Sequence, residues 1–282
     1  MARLAFNELV YAGHPYEVSV SGFERTILTI TRDDLADFHR RMYGPEGMIL
    51  TVVGAIHADE AIARVTEALG GWTTGNGYHP YEVSDQPRPI GLVRRNVMMP
   101  DKVQADVVMG LPGPRRSAED YLDASMMNTI LGVFGMMGRI GQNVREEQGL
   151  AYYAYSRLAG GLGPGAWTAF AGVSPDVVDQ AIESIRAEIR RIQDEPVSAE
   201  ELADSKAYRI GSLPVSLETN GALADVIGDM EFYDLGLDYL QTYTDRVNEI
   251  TVEAVQAAAR KYLSADNLAV VVAGSVGPDE EA

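Results

Sequence analysis

Apolar residues recur at intervals of three and four along several stretches of the chain. Such spacing places side chains on one face of an α-helix, so it predicts amphipathic helices with one buried face. The clearest stripes are Leu35, Phe38 and Met42, and Val178, Ile182, Ile185, Ile189 and Ile192. A threonine directly before a helical stretch is typical of an N-cap, so Thr31 and Thr251 each mark a predicted helix start. Ser117 is predicted to cap a further helix, and another is expected at 59–69.

Continuous apolar runs between these helices predict strands, because a strand that is buried on both faces need not alternate. We expect buried strands at 48–53 and 268–273. Further strands are expected at 91–98, 104–110, 151–155 and 167–172. The glycine-rich segment 160–165 joins the last two as antiparallel neighbours.

Two segments of the chain resemble each other. Residues 30–54 match residues 250–274 without a gap, at an offset of 220 residues. Both are interpreted as cap, helix, turn, buried strand and glycine, and identical pairs include Ile30/Ile250, Thr31/Thr251, Arg40/Arg260, Val52/Val272 and Gly54/Gly274. Self-similarity of this length indicates a duplicated unit of about 220 residues. The alternative is that two cap–helix–strand units look alike by chance.

This duplication predicts the domain organisation. A complete second unit fits at 90–276, after a linker at 76–89 that contains several prolines and glycines. Residues 1–75 then form only the C-terminal half of a first unit, whose beginning is expected before Met1, and 277–282 form an acidic tail. An isolated half-unit exposes a sheet edge and an apolar helix face, so we expect either a covering partner or a local rearrangement.

Composition and charge narrow the class of protein. The 282-residue chain is 46% hydrophobic and 23% charged, as in soluble globular proteins, and no apolar run is long enough to span a membrane. A formal net charge of −18 argues against nucleic acid as a partner. It is compatible with attraction of basic peptides, or with a solvated acidic surface. Cys is absent and no signal peptide is recognised, so a cytoplasmic location is the default expectation.

The residue types also exclude several catalytic centres. His14, His39, His57 and His79 show neither H-x-x-E-H nor H-E-x-x-H spacing, so we expect no metal site in this chain. The sequence contains no G-x-S-x-G motif and no P-loop, which leaves a nucleophile elbow and a phosphate loop without support. We therefore predict no catalytic residue and no bound cofactor.

The strongest candidate for ligand binding lies in the stretch 138–156. Arg145 falls in the last turns of a predicted helix, and Tyr152 falls near the start of a predicted strand. Gly149 between them suits a C′ position, where a positive φ is common. A guanidinium fork and a phenolic hydroxyl directed to one place suit a peptide carbonyl or carboxylate. The alternative is that Arg145 pairs with Glu146 or Glu147 and that the tyrosines fill a core.

These residues resemble a known family. The stretch from Arg145 to Tyr152 is similar to the Arg/Tyr segment in the second domain of the insulinase, or pitrilysin, family of zinc peptidases, in its processing-peptidase-like branch. The Gly-His-Pro-Tyr sequence at 13–16, the segment 30–45 and the Val-Gly pair at 53–54 resemble the latter part of that family's first domain.

The resemblance implies a duplicated α+β fold, with a mainly antiparallel sheet packed with helices in each domain. It implies that the first domain holds zinc through H-x-x-E-H and a distal Glu. It also implies that the second domain positions substrate through an Arg and a Tyr, matched here by Arg145 and Tyr152. The zinc motif would lie before Met1. Zinc is therefore expected only in a missing domain or a partner, and this chain is expected to be inactive alone.

The hypothesis that follows is the non-zinc portion of a processing-peptidase-like metallopeptidase. It would bind unfolded peptides and associate as a homo-oligomer or with a zinc-motif subunit. One alternative is a non-catalytic peptide-binding or assembly module of the same family. Another is an unrelated α/β binding domain with a coincidental repeat, which predicts that the two repeat segments fold differently.

Overall fold

A computed structural model describes residues 1–73 and 82–277, apart from the side chains of residues 135–137. The chain divides into two compact units. Unit 1 comprises Met1–Val18, Ser84–Gly211 and Thr242–Ala282, and unit 2 comprises Ser19–Val83 and Ser212–Gln241. Among the helices in the described ranges, none combines the length and the apolar character that crossing a membrane requires.

Unit 1 is built on a five-stranded sheet with the spatial order β1-β5-β2-β4-β3. The strands are β1 (Leu92–Met98), β2 (Ala105–Pro112), β3 (Ala151–Leu158), β4 (Ala166–Val173) and β5 (Leu268–Gly274). The β1–β5 pair is parallel, whereas the other three neighbouring pairs are antiparallel. The predicted α+β class with a mainly antiparallel sheet is confirmed, and so is the predicted antiparallel pairing of β3 with β4.

The helices fall into both units. They are α1 (Ala2–Val10), α2 (Glu24–Ile27), α3 (Arg32–Met42), α4 (Ala58–Leu69), α5 (Tyr121–Gly132), α6 (Phe134–Gly141), α7 (Val178–Asp194), α8 (Ala199–Ser216), α9 (Asn220–Phe232), α10 (Tyr239–Glu249) and α11 (Val252–Tyr262). Short 3₁₀ turns at Pro15–Glu17 and Pro175–Val177 and a π-helical segment at Gln142–Glu147 complete the helical structure of these ranges.

Helix α1 covers one face of the sheet in unit 1. Phe6 and Val10 pack with Phe170 of β4 and Val271 of β5 in a single buried cluster. Successive strand residues point to opposite faces, and Val270 and its alternate neighbours are also fully buried. Helices α5, α6 and α7 contact the sheet, and α11 packs against α5 and α7. The isoleucine stripe of α7 is buried, which confirms the amphipathic helix predicted there.

Unit 2 contains α2, α3, α4 and α9. Thr31 caps α3, because its hydroxyl accepts a hydrogen bond from the backbone N–H of Asp34 while the Asp34 carboxylate accepts one from the backbone N–H of Thr31. The predicted N-cap is therefore confirmed, and it is reinforced by a reciprocal contact. Helix α9 lies beside residues 48–53, where Ile49, Thr51 and Gly228 line a shared cavity.

The internal repeat is reproduced in its first half only. Helices α3 and α11 have equal lengths of 11 residues and begin directly after the matched threonines. Residues 48–53 form no strand, and Met48, Leu50 and Val52 are exposed. The prediction of a buried strand at 48–53 is wrong. Its counterpart β5 receives hydrogen bonds from β1 and β2, whereas the described residues of unit 2 contain no strand that pairs with 48–53.

Two further predicted segments either differ from the structure or lie partly outside the described residues. The helix predicted after Ser117 begins at Tyr121, because residues up to Asp120 form turns and the Asp120 carboxylate accepts hydrogen bonds from Lys261 and Tyr262. Residues 76–81 of the predicted linker and residues 278–282 of the predicted acidic tail lie outside the described residues. The boundaries at 75, 76, 89 and 90 remain predictions.

Candidate functional site

The helix that precedes Gly149 ends in an irregular turn. Helix α6 continues into the π-helical segment Gln142–Glu147, which carries Arg145. Gly149 has a φ of 63°, as its predicted C′ position requires. Its N–H donates to the carbonyl oxygen of Arg145 at 3.1 Å, and the N–H of Leu150 donates to that of Val144 at 2.9 Å. These hydrogen bonds hold the backbone of Arg145 in a π-helical turn, a feature that occurs frequently at functional sites.

Tyr152 lies in an irregularity of strand β3. Ala151 pairs with Val173 and Tyr153 pairs with Gly172, so Tyr152 is an additional residue without a counterpart in β4. Such a β-bulge changes the direction of a side chain and breaks the alternation of the strand. The Tyr152 residue is 81% exposed, and β3 is an edge strand of the described sheet. The bulge therefore presents a large aromatic side chain to solvent at the sheet edge.

The neighbouring tyrosines behave differently. The ring of Tyr155 stacks on that of Phe170 with 5.0 Å between centroids, and both Tyr153 and Tyr155 are half-buried. The hydroxyl of Tyr153 donates to Oδ1 of Asp106 at 2.8 Å. Burial and then this hydrogen bond raise the pKa of Tyr153 above its usual value. Tyr153 and Tyr155 therefore pack against the sheet, as the alternative interpretation expects, but Tyr152 does not.

The ion pair that Arg145 forms is weak. Its Nε lies 3.5 Å from Oε1 of Glu146, and its side chain is 32% exposed. Ion pairs with this much solvent contribute about 0–1 kcal/mol. The pairing with Glu146 that the alternative expects is present, but its energy is small enough for a bound carboxylate or carbonyl to replace it.

The turn between Arg145 and Tyr152 is anchored to α7 at two points. Nδ2 of Asn143 donates to Oε1 of Glu188 at 2.6 Å. Nε2 of Gln148 donates to Oγ of Ser184 at 3.0 Å. None of these four residues is predictable as part of a site from the sequence, because isolated amides and a helical serine or glutamate carry no recognisable motif. Anchoring of this kind fixes side chains before a ligand arrives, which lowers the cost of binding.

The described histidines do not fit a zinc site. His14 is buried, its Nδ1 accepts from the backbone N–H of Tyr16, and its Nε2 lies 3.1 Å from the carbonyl oxygen of Ser84. The ring of His39 stacks on Tyr43, and His57 is exposed at the start of α4. His79 lies outside the described residues. Within the described ranges, no three His, Cys, Asp or Glu side chains form a group that can hold a metal ion. No hydrolytic step is therefore assigned to them.

Comparison with known proteins identifies relatives over most of the chain. A family profile described as "Peptidase M16 inactive domain" matches residues 29–208, more than half of the sequence. A protein of Streptomyces coelicolor that is named an uncharacterized zinc protease is 28% identical over 247 residues, covering 86% of this chain and 54% of the relative. A relative from Helicobacter pylori that is named a non-peptidase homolog is 21% identical over 284 residues, covering 99% of this chain and 64% of the relative.

A solved structure shares the fold. The crystal structure of a peptidase M16 inactive domain from Pseudomonas fluorescens superposes with a TM-score of 0.89 and 25% sequence identity, covering 99% of this chain and 66% of that chain. The chain thus spans about half to two thirds of the length of the proteins it resembles. These matches confirm the resemblance to zinc metallopeptidases that the sequence indicates.

Proposed function

The chain belongs to the family of peptidase M16 inactive domains, and on that premise we propose that it binds unfolded peptides and positions them for hydrolysis by a zinc-bearing domain or partner. One observation carries the proposal. Arg145 and Tyr152 each lie in a backbone irregularity, a π-helical turn and a β-bulge, on either side of Gly149. Both kinds of irregularity are concentrated at functional sites.

The chemistry of the two side chains suits an extended peptide. A guanidinium donates two parallel hydrogen bonds to a carbonyl or carboxylate, and a phenolic hydroxyl can donate or accept. Strand β3 is an edge of the described sheet, where an extended peptide can add backbone hydrogen bonds. The formal net charge of −18 favours basic peptides over acidic ones.

The test is a pair of binding measurements with a fluorescent, unfolded basic peptide. Arg145→Ala should weaken binding about tenfold or more, because hydrogen bonds to charged groups contribute about 1.5–3 kcal/mol. Tyr152→Phe should weaken binding less, since it removes one hydroxyl. Neither change should lower the melting temperature, because both side chains are solvent-accessible.

Arg157→Ala is the matched control. Arg157 is exposed on the same strand, so this variant removes the same charge without touching the turn. Equal weakening by Arg157→Ala and Arg145→Ala would mean that the peptide responds to overall charge only. A collapse of the melting temperature in Arg145→Ala would instead assign a structural role to Arg145.

The surface of unit 2 supports the zinc-bearing partner in this proposal. Leu35, Phe38 and Met42 are exposed on α3, whereas their counterparts on α11, at the offset of 220 residues, are buried. Exposed apolar patches of this kind mark interaction sites. In unit 1, β1 and β2 flank β5. A zinc-bearing half of a peptidase-like domain that supplies two strands would flank residues 48–53 in the same way and would cover these exposed side chains.

Helix α9 supports the same arrangement. At the offset of 220 residues, α1 corresponds to residues 222–230, which lie in α9. Helix α1 covers the sheet of unit 1, and α9 lies beside Ile49 and Thr51 in unit 2. We infer that α9 covers the corresponding face of a second sheet, of which residues 48–53 form one strand when the partner is bound.

The partner proposal predicts distinct behaviour with and without that partner. The purified chain should bind no stoichiometric zinc and cleave no unfolded peptide. Addition of a zinc-bearing M16 segment should restore cleavage, and Arg145→Ala should reduce it. One zinc ion per chain together with cleavage by the chain alone would refute the proposal.

The second candidate function is a non-catalytic peptide-binding or assembly module. The name of the Helicobacter pylori relative, non-peptidase homolog, favours it. A gene for a zinc-motif homologue beside the gene for this chain would favour the peptidase proposal, and its absence would favour the assembly module. Both proposals retain the processing-peptidase-like branch, a homo-oligomer or hetero-oligomer, and the cytoplasmic location expected from the sequence.

A further inference from the structure

Unit 1 contains a cavity of about 460 Å³ that the proposed function does not yet use. It lies between α6, the π-helical segment, α7 and the start of α8, and we call it the acidic cavity. Five carboxylates line it: Glu147, Glu188, Glu200, Glu201 and Asp204. Two arginines, Arg139 and Arg191, also line it, so the formal charges leave the cavity strongly negative.

One of these carboxylates is buried and only half satisfied. Glu188 is 4% exposed, and its Oε1 accepts a hydrogen bond from Asn143 at 2.6 Å. Its Oε2 is buried without a hydrogen-bond partner in the described structure, and Nη1 of Arg191 lies 3.6 Å away, beyond hydrogen-bond range. A buried carboxylate oxygen without a donor is costly, so the site favours a ligand that donates to it.

A buried donor lines the same cavity. Arg139 uses Nε and Nη2 for a bidentate pair with Glu201, at 2.7 and 2.6 Å. Its Nη1 is buried and has no acceptor in the described structure. The cavity therefore offers one acceptor and one donor, and a ligand that satisfies both must carry a donor and an acceptor of its own.

The residues that line the acidic cavity favour a ligand with both apolar and cationic parts. Ile130 and Phe134 provide an apolar side to the cavity, opposite in character to its carboxylates. Lysine and arginine side chains combine an apolar stem with a cationic head, and a cation near an aromatic ring gains further attraction. An anionic side chain would be repelled by Glu188, and a neutral donor would leave the buried negative charge uncompensated.

We propose that the acidic cavity binds a lysine or arginine side chain of an extended peptide, whose cationic head donates to Oε2 of Glu188 and whose backbone carbonyl accepts from Nη1 of Arg139. This inference rests on the proposed peptide-binding function. Asn143 and Glu147 belong to the same π-helical segment as Arg145. A peptide bound through Arg145 thus passes a segment that also forms one side of the acidic cavity.

The experiment compares two capped Gly/Ser peptides by calorimetry on the full chain. One carries a central arginine, and the other carries citrulline, which has the same shape and no charge. The wild-type protein should bind the arginine peptide about tenfold more tightly than the citrulline peptide. Glu188→Gln retains the acceptor for Asn143 and should remove this preference.

Asp194→Asn is the control, because it makes the same change of charge on α7 outside the acidic cavity. It should preserve the arginine preference. Equal affinity of the two peptides for the wild-type protein would overturn the inference, whether or not Glu188→Gln folds. Preservation of the preference in Glu188→Gln would overturn it as well. If neither peptide binds, the proposed function itself fails, which is a different result from equal binding.

Discussion

The two copies of the internal repeat start alike and end differently. Both have a threonine cap and an 11-residue helix, in α3 and α11. Leu35, Phe38 and Met42 of the first copy are 60%, 49% and 60% exposed, whereas Val255, Ala258 and Tyr262 of the second are 0%, 3% and 9% exposed. The residues after α11 become β5, an interior strand of the sheet, and those after α3 form no strand.

This comparison separates local from tertiary causes. Capping and helical spacing act within a few residues, so both copies form the helix regardless of their surroundings. A strand needs hydrogen-bond partners from elsewhere in the chain, and β5 receives them from β1 and β2. The same apolar pattern therefore gives a buried strand in one copy and an exposed segment in the other.

The largest difference in the effect of a mutation on the free energy of unfolding is expected at the matched positions Val270 and Leu50. Val270→Asp places a charge in an interior strand of the sheet, where the residue is fully buried, and should cost more than about 4 kcal/mol. Leu50→Asp alters an exposed residue of unit 2 and should change the stability of that unit by less than about 0.5 kcal/mol. Urea unfolding measures both: Trp167 fluorescence in a Trp72→Phe background reports on unit 1, and Trp72 fluorescence in a Trp167→Phe background reports on unit 2.

A strongly destabilising Leu50→Asp would contradict the comparison, because it would show that residues 48–53 are buried in the isolated chain. Leu50→Asn serves as a neutral control for the loss of the apolar side chain. It should behave like Leu50→Asp if exposure alone decides the result.

A smaller difference is expected on the matched helix faces. Val255→Ala removes two buried carbon atoms and should cost about 1–3 kcal/mol, partly offset by the better helix propensity of alanine. Leu35→Ala should change stability by less than about 0.5 kcal/mol in the absence of a partner. With a zinc-bearing M16 segment bound, Leu35→Ala should weaken that association instead. If Val255→Ala and Leu35→Ala lowered the free energy of unfolding equally in the isolated chain, the result would contradict a buried face on α11 and an exposed face on α3.

The sequence predicts these elements unevenly. Caps, the α7 stripe and the positive φ of Gly149 depend on nearby residues, and each was predictable. The strand at 48–53 was not correctly predicted. An apolar run indicates that a segment can be buried, but it does not indicate whether neighbouring strands are present to pair with it. The β-bulge at Tyr152 and the half-satisfied Glu188 have no spacing signal, since both arise from contacts with distant elements.

The smallest predicted effect is the loss of stability at the start of α3 at low pH. Hydrogen bonds from the side chain and then the backbone of Thr31 lower the pKa of Asp34 below its usual value. The folded pKa is the lower one, so this stabilisation is complete above the usual Asp pKa and disappears as the pH falls through the folded pKa. We expect the start of α3 to fray below about pH 4, the usual range for an Asp side chain.

Helix α11, the repeat counterpart of α3, should resist acid better. Hydrogen bonds from its own backbone and from Thr251 lower the pKa of Glu253 as well, but α11 is also held by buried contacts. Residue-resolved NMR between pH 2 and 6 should therefore show fraying at α3 and persistence of α11. Asp34→Asn should remove the pH dependence of α3, and retention of that dependence would disprove the role of Asp34.

Amide hydrogen exchange of residues 48–54 and 268–274 is the most direct test, first in the isolated chain and then with a zinc-bearing M16 segment. We predict strong protection of 268–274 in both states. Residues 48–54 should exchange at nearly unprotected rates alone and become protected when the segment binds. Equal protection of the two stretches in the isolated chain, or continued rapid exchange of 48–54 in a complex that cleaves peptide, would contradict the proposal that a partner completes this repeat copy.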